Sequence, residues 1–202
     1  MTLLKWLASR WTWGAVAIGV AVLGVSHLSG NATAPRPSLV GAITIPEGST
    51  PAPDFRLRDQ IGAPITLQGL RGQVVVVAFL DSHCTESCPV EGAQLAMAQR
   101  RLGDRARFVL VVISVNPERD TASSVNEFAS AREWTSEWHW LLGSREELSP
   151  VWKAYGVNVA ASGDDTVHSL GMYLIDRKGF ERAILTGDPA TLTQDVDILA
   201  SS

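Results

Sequence analysis

The hydrophobic pattern of the chain changes twice. From Trp11 to Leu28 there are 18 residues without an acid, lysine or arginine, enough to cross the apolar core of a bilayer. Lys5 and Arg10 precede this stretch and favour a cytoplasmic N-terminus. Gly14, Gly19 and Gly24 make it a poor packing helix in water. The pattern predicts a cytoplasmic segment over 1–10 and a single transmembrane anchor over 11–29. A cleaved secretory signal is the competing reading, because Ala32-Thr33-Ala34 has the small-x-small pattern, although Pro35 is a poor cleavage neighbour. Both readings export the rest of the chain. Residues 30–52 are rich in Pro, Ser, Thr and Gly without apolar period and read as a flexible tether. A folded domain is expected over 53–202.

Within that domain the periods alternate between strand and helix. Phe55–Arg58 and Ile65–Leu67 flank a turn at Gly62 and suggest a hairpin. Gln73–Leu80 and Arg107–Val115 are continuous apolar runs of the kind found in strands buried on both faces. Pro89–Leu102 reads as a helix, with Leu95, Ala98 and Leu102 on one face and Gly103 as its stop, and a second helix is expected over Thr121–Arg132. Ser144-Arg-Glu-Glu147 is a capping box, after which Leu148, Val151, Trp152 and Tyr155 recur at i, i+3, i+4 and i+7. A loop carrying Gly163, Asp164, Asp165 and His168 leads into Met172–Ile175, which turns through Asp176–Gly179 into Phe180–Leu185. Asp188-Pro189 then caps a last helix with Leu192, Val196 and Leu199 on its apolar side. The order βαβα(α)ββα predicts an α/β domain of thioredoxin-like fold.

Composition narrows the chemistry. Two cysteines in 202 residues exclude a disulfide scaffold and a closed four-cysteine zinc site. The formal charge of −4 argues against a nucleic-acid partner held through its phosphates. Setting aside the first 30 residues leaves 15 basic against 21 acidic residues, so the expected exported part carries −6.

Both cysteines lie in one element, Cys84-Thr-Glu-Ser-Cys88, between the first buried strand and the first helix. A helix start offers free N–H groups and the positive end of a dipole, which favour thiolate. An inert disulfide over so short a loop would constrain little of the unfolded chain. Three intervening residues let both sulfurs converge on one soft ion, above all Cu(I), with a third ligand completing a trigonal site open to an incoming acceptor. In a thioredoxin-like topology the loop before the late hairpin faces the helix start, and here it contains His168. His83, beside Cys84, and His139, between Trp138 and Trp140, are the alternatives; His27 falls in the apolar N-terminal segment. Glu86 is either a solvated acid or a modulator of the thiols and of a Cu(II) state. Met97 and Met172 read as core, and Trp134, Trp138 and Trp140 as packing, with partner docking the sharper alternative for the tryptophans.

These residues resemble the Sco/SenC family of membrane-anchored, thioredoxin-like copper proteins. The resemblance rests on Pro53–Gly62, Leu70–Phe79, His83-Cys84 with Cys88-Pro89, Ile113–Thr121, Trp152–Val157, and His168 ahead of Met172–Asp176. It implies copper bound by Cys84, Cys88 and His168. It also implies assembly of the dinuclear copper centre of cytochrome c oxidase, with that enzyme's subunit II or a copper donor as partner, and thiol-disulfide exchange toward the subunit's cysteines. The expected location is a cell membrane, single-pass, with the domain on the periplasmic side. Thr85, Asn116 and Val167 depart from the family's usual Pro, Asp and Asp. The rivals are a pure thiol-disulfide oxidoreductase using Cys84 and Cys88, a copper sensor signalling through its anchor, and a peroxiredoxin-like peroxidase. The last would want Thr where this chain has Asp81.

Overall fold

A computed structural model describes residues 37–202 apart from 105, 136, 163, 164, 169 and 170, with the backbone alone at 161, 162 and 165–168. The anchor expected over 11–29 lies outside the described residues, and no helix among those described is long and apolar enough to cross a membrane. In chain order the elements are β1 (Ile43–Thr44), β2 (Arg56–Arg58), β3 (Pro64–Thr66), β4 (Val74–Leu80), α1 (Ser87–Leu102), β5 (Phe108–Ser114), α2 (Ala122–Ala131), β6 (Trp138–Leu141), α3 (Arg145–Ala154), β7 (Val159–Ser162), β8 (Asp165–His168), β9 (Met172–Ile175), β10 (Glu181–Leu185) and α4 (Pro189–Ala200).

The two continuous apolar runs, β4 and β5, are buried at every position and lie side by side in parallel. They form the middle of a six-stranded sheet ordered β1-β10-β9-β4-β5-β6. Because alternate residues of a strand face opposite ways, β4 divides its side chains between two cores. Val74, Val76, Ala78 and Leu80 pack with α1, α2 and α4 through Leu95, Val125, Phe128, Leu192 and Val196. Val75, Val77 and Phe79 pack with α3 and the β2–β3 hairpin through Leu148, Trp152, Phe55 and Leu57. Helices on one face and a helix with a hairpin on the other make the thioredoxin-like α/β arrangement expected from the element order.

Four local features differ from the sequence expectation. Trp138–Leu141 is the edge strand β6, parallel to β5, and His139 stands opposite Val111 within it. Its aromatic residues carry strand propensity, but four positions are too few for a period to show. The packing reading of the tryptophans stands, since Trp134 lies 5.6 Å from Trp138 and 6.2 Å from Trp140 between ring centroids. The stretch read as a loop with His168 is instead the two-stranded β7–β8 ladder, pairing Val159 with His168 and Ser162 with Asp165. It stands apart from the main sheet, so no buried face imposes an apolar alternation on it.

The expected tether is ordered where it is described. β1 pairs antiparallel with β10, and the buried Asp195 carboxylate accepts Val40 N at 2.8 Å and Gly41 N at 3.0 Å. A Cβ at Gly41 would stand 2.7 Å from Leu185 Cδ2 and 2.9 Å from Ala183 Cβ, so only glycine lets the chain pass. Of the two methionines read as core, Met172 is buried, whereas Met97 points outward from α1 and is 38% exposed.

Candidate metal and thiol centre

The C-terminal end of β4 delivers Asp81-Ser82-His83-Cys84 to the start of α1, and the local wiring explains why the turn holds. Asp81 is buried; its carboxylate accepts His83 N at 2.8 Å and Asn116 Nδ2 at 2.8 Å. Asp120, also buried, accepts Ser82 N at 2.9 Å, Ser82 Oγ at 2.5 Å and Ser114 Oγ at 2.6 Å. Two carboxylates thus brace the loop from within, which satisfies backbone groups that burial would otherwise strand. Burial pushes the Asp120 carboxyl up, partly offset by the Ser114 and Ser82 hydrogen bonds.

The cysteines occupy unlike environments. Cys84 is half-buried, and Cys88, in the first turn of α1, is fully buried. The N-cap residue of α1, Glu86, is exposed and makes no side-chain capping bond. The Cys84 sulfur takes that place: it accepts the N–H groups of Cys88 and Glu86, and Ser87 Oγ lies 3.9 Å from it. Burial pushes the Cys84 thiol up, but these backbone bonds, together with the Cys88 thiol and the Ser87 hydroxyl, leave it below the ordinary thiol range. Desolvation pushes the Cys88 thiol far up, against a contact from Asp81 N at 3.5 Å. Cys84 is therefore the more readily ionised thiol of the two, while Cys88 holds its proton more tightly.

Arg132, at the C-terminal end of α2, adds a fixed positive charge. Its guanidinium lies 3.5 Å over the Phe128 ring and donates to Phe128 O at 2.8 Å and Pro89 O at 3.4 Å. Burial lowers its affinity for a proton, and the fields of Cys88 and Cys84 raise it.

His168 ends β8, opposite Val159, and its side chain lies outside the described residues. β9 begins four residues later and runs antiparallel to β4 with Tyr173 opposite Val77. Met172 is then abreast of Ala78, at the end of the sheet from which the cysteine loop leaves. His83 lies nearer in sequence, but its Nδ1 is engaged, 3.1 Å from Ser82 Oγ, 3.8 Å from Asp120 Oδ1 and 3.9 Å from Asp81 Oδ1. Asp81, His83 and Asp120 are a cluster with metal-ligand spacing, yet the carboxylate oxygens are occupied by the loop-bracing bonds above. His139 is remote in role: its Nδ1 is 3.0 Å from the buried Asp59 carboxylate on the β2 side of the sheet. Glu86 faces solvent with no role evident in its surroundings beyond its N–H on Cys84.

Sequence reasoning missed Glu91. It shares the buried face of α1 with Cys88 and Leu95, three and four residues away, and is 7% exposed. Its Oε1 has no hydrogen-bond partner, and burial raises its carboxyl to about 7. An acid at an apolar position of the helical period was the available signal.

Among known proteins, the SCO1/SenC family model matches residues 44–198. The Arabidopsis thaliana protein described as SCO1 homolog 1, mitochondrial, is 32% identical over 128 residues, covering 60% of this chain and 38% of the relative. This chain spans about two fifths to one half of the length of the curated relatives it first matches. The crystal structure of Arabidopsis thaliana ScoI with copper bound superposes with a TM-score of 0.65 at 29% identity, covering 72% of this chain and 95% of that one. Bradyrhizobium japonicum ScoI, also solved with copper bound, gives 0.66 at 25% identity over 74% and 99% of the two chains.

Proposed function

Because this chain belongs to the SCO1/SenC family, we propose that it is a membrane-anchored copper metallochaperone whose domain works on the extracytoplasmic side. It binds copper through Cys84, Cys88 and His168 and supplies the dinuclear copper centre of cytochrome c oxidase subunit II. The observation that carries this reading is the unequal dithiol at the start of α1. Copper-bound relatives of the same fold support the identity of the cargo, and the antiparallel register of β9 on β4, which starts β9 four residues after His168 at the cysteine end of β4, supports His168 as third ligand.

The chemistry stems from the two thiols. Cys84, already disposed to ionise, would take the soft ion first, and the ion would then compete with the proton for the Cys88 sulfur at close range, the proton leaving to solvent. Two thiolates and an imidazole suit Cu(I) and leave a coordination position through which an acceptor's ligands enter one at a time. Cu(II) is a second state the same donors can hold. Oxidation of the pair to a disulfide removes both anionic ligands, so loading depends on redox state.

The same asymmetry favours a second reading, thiol-disulfide exchange. The Cys84 thiolate attacks a partner disulfide, releasing one partner thiol. Cys88 then loses its proton and attacks the Cys84 sulfur of the resulting mixed disulfide, expelling the partner's second thiol, so that two electrons pass to the partner and Cys84–Cys88 becomes the disulfide.

Anaerobic Cu(I) titration of the reduced full chain in detergent tests the first reading. One equivalent should bind to the wild type and none tightly to Cys88→Ser or His168→Ala. Unchanged binding by His168→Ala would overturn the three-ligand site. Disulfide reduction by the copper-free protein, undiminished in His168→Ala, would instead favour exchange as the activity.

A further inference from the structure

Beside the cysteine loop, a cavity of about 390 Å³ opens between α1 and the ends of β9 and β10, within the roughly 300–1,000 Å³ range of binding clefts. Met172 and Leu185, paired in register and both buried, form its floor, and the 57%-exposed Val90 forms an apolar rim. Ser87 joins it to the metal loop, with its hydroxyl 3.9 Å from the Cys84 sulfur. Glu91, 7% exposed, lines this mostly apolar space, and its carboxylate has one oxygen, Oε1, that is buried without a partner. Glu91 is the sole charged residue among the described lining residues. An isolated acid on an apolar wall is costly unless something completes it.

What completes it must be apolar along most of its length and carry a donor at its tip. Lysine and arginine have that form, with an aliphatic stem and a cationic head. The excess of acidic residues beyond residue 30 also favours a partner of opposite charge. We propose that this cavity receives a lysine or arginine side chain of the protein that docks on the cysteine loop, its stem against Val90, Met172 and Leu185 and its head on the Glu91 carboxylate. The inference rests on the copper-transfer reading for who the partner is, and names how that partner is held while ligands exchange at Cys84. A cation arriving at Glu91 stabilises its ionised form, consistent with a carboxyl that burial holds near neutrality in the empty cavity.

The test uses the reduced full chain in detergent, labelled at its methionine methyl groups, of which there are three. The probes are a capped Gly-Leu-Lys-Leu-Gly pentapeptide, its arginine counterpart, and the same peptide with norleucine in place of lysine. The lysine or arginine peptide should shift the Met172 methyl saturably, and the norleucine peptide should bind about tenfold more weakly or worse. Glu91→Gln should abolish that discrimination, whereas Val90→Ser, at an exposed rim, should weaken all three peptides alike. Equal affinity for charged and norleucine peptides, discrimination that survives Glu91→Gln, or an unmoved Met172 methyl would overturn the cavity assignment. Copper titration of Glu91→Gln keeps the two ideas apart. One equivalent bound with peptide discrimination lost supports the cavity; wild type that discriminates peptides yet binds no copper would sink the transfer reading alone.

Discussion

The starts of α1 and α3 solve the same physical problem in opposite ways. Every helix begins with N–H groups that lack intrahelical partners. At α3, Ser144 Oγ accepts Glu147 N at 3.3 Å, and Glu147 Oε2 accepts Ser144 N at 2.7 Å. The α2 start has a comparable box from Thr121 and Ser124, and α4 has Asp188 on Ala190 N and Thr191 N. The α1 start has no side-chain oxygen at its cap, and its N–H groups fall to the Cys84 sulfur. Sulfur is a weak acceptor, so α1 gives up cap stability and gains an activated thiol. The same interaction that closes three helices is directed at chemistry in the fourth.

Exchanging the roles of the two helix starts gives the largest predicted effect. Cys84→Ser should remove tight copper binding altogether while changing stability by less than about 1 kcal/mol, because a hydroxyl caps at least as well as a thiol. Paired copper titration and urea unfolding would measure both, and a variant that still bound copper would break the comparison. Next in size is the contrast between the thiols themselves. Iodoacetamide should alkylate Cys84 at least about a hundredfold faster than Cys88 in the folded protein. The Cys84 rate should reach its plateau below the pH at which an ordinary thiol does, as mass-spectrometric mapping would report.

Glu91 supplies a smaller effect with a defined sign. Its carboxyl is raised in the fold from 4.5 to about 7, so the folded protein binds a proton that the unfolded chain has released. The associated stability is complete below about pH 4.5 and falls as pH rises to about 7, a loss of about 3 kcal/mol in all. Glu91→Gln should flatten that part of the pH-stability curve; an identical slope in the variant would show the carboxyl to be ordinary. Smallest is Ser144→Ala, which should cost about 1 kcal/mol through the lost cap and leave copper binding intact.

Legibility in the sequence tracked locality. The α3 box lies within four residues and its apolar face within the next eight, so cap and face were readable together. β4 and β5 were readable because burial on both sides leaves no polar position to interrupt the run. β1 was not, since its order depends on Asp195, about 150 residues away, accepting Val40 N and Gly41 N. β7 and β8 pair only with each other and carry no face that must be apolar. At the candidate site, the closeness of Cys84 and Cys88 to one another was plain from their spacing. Their inequality was not, because it arises from burial and from which N–H groups point at which sulfur. The bracing of Ser82 by Asp120 crosses 38 residues, and Glu91 reads as one acid among many until its surroundings are known.

The central claim concerns three ligands, two sulfur and one nitrogen. X-ray absorption at the copper edge, on the reduced full chain loaded with one equivalent of Cu(I), tests it most directly. Two sulfurs and one imidazole nitrogen are expected in the wild type, with the nitrogen lost in His168→Ala. A wild-type spectrum with sulfur ligands only, or an imidazole signal that persists in His168→Ala, would contradict the account.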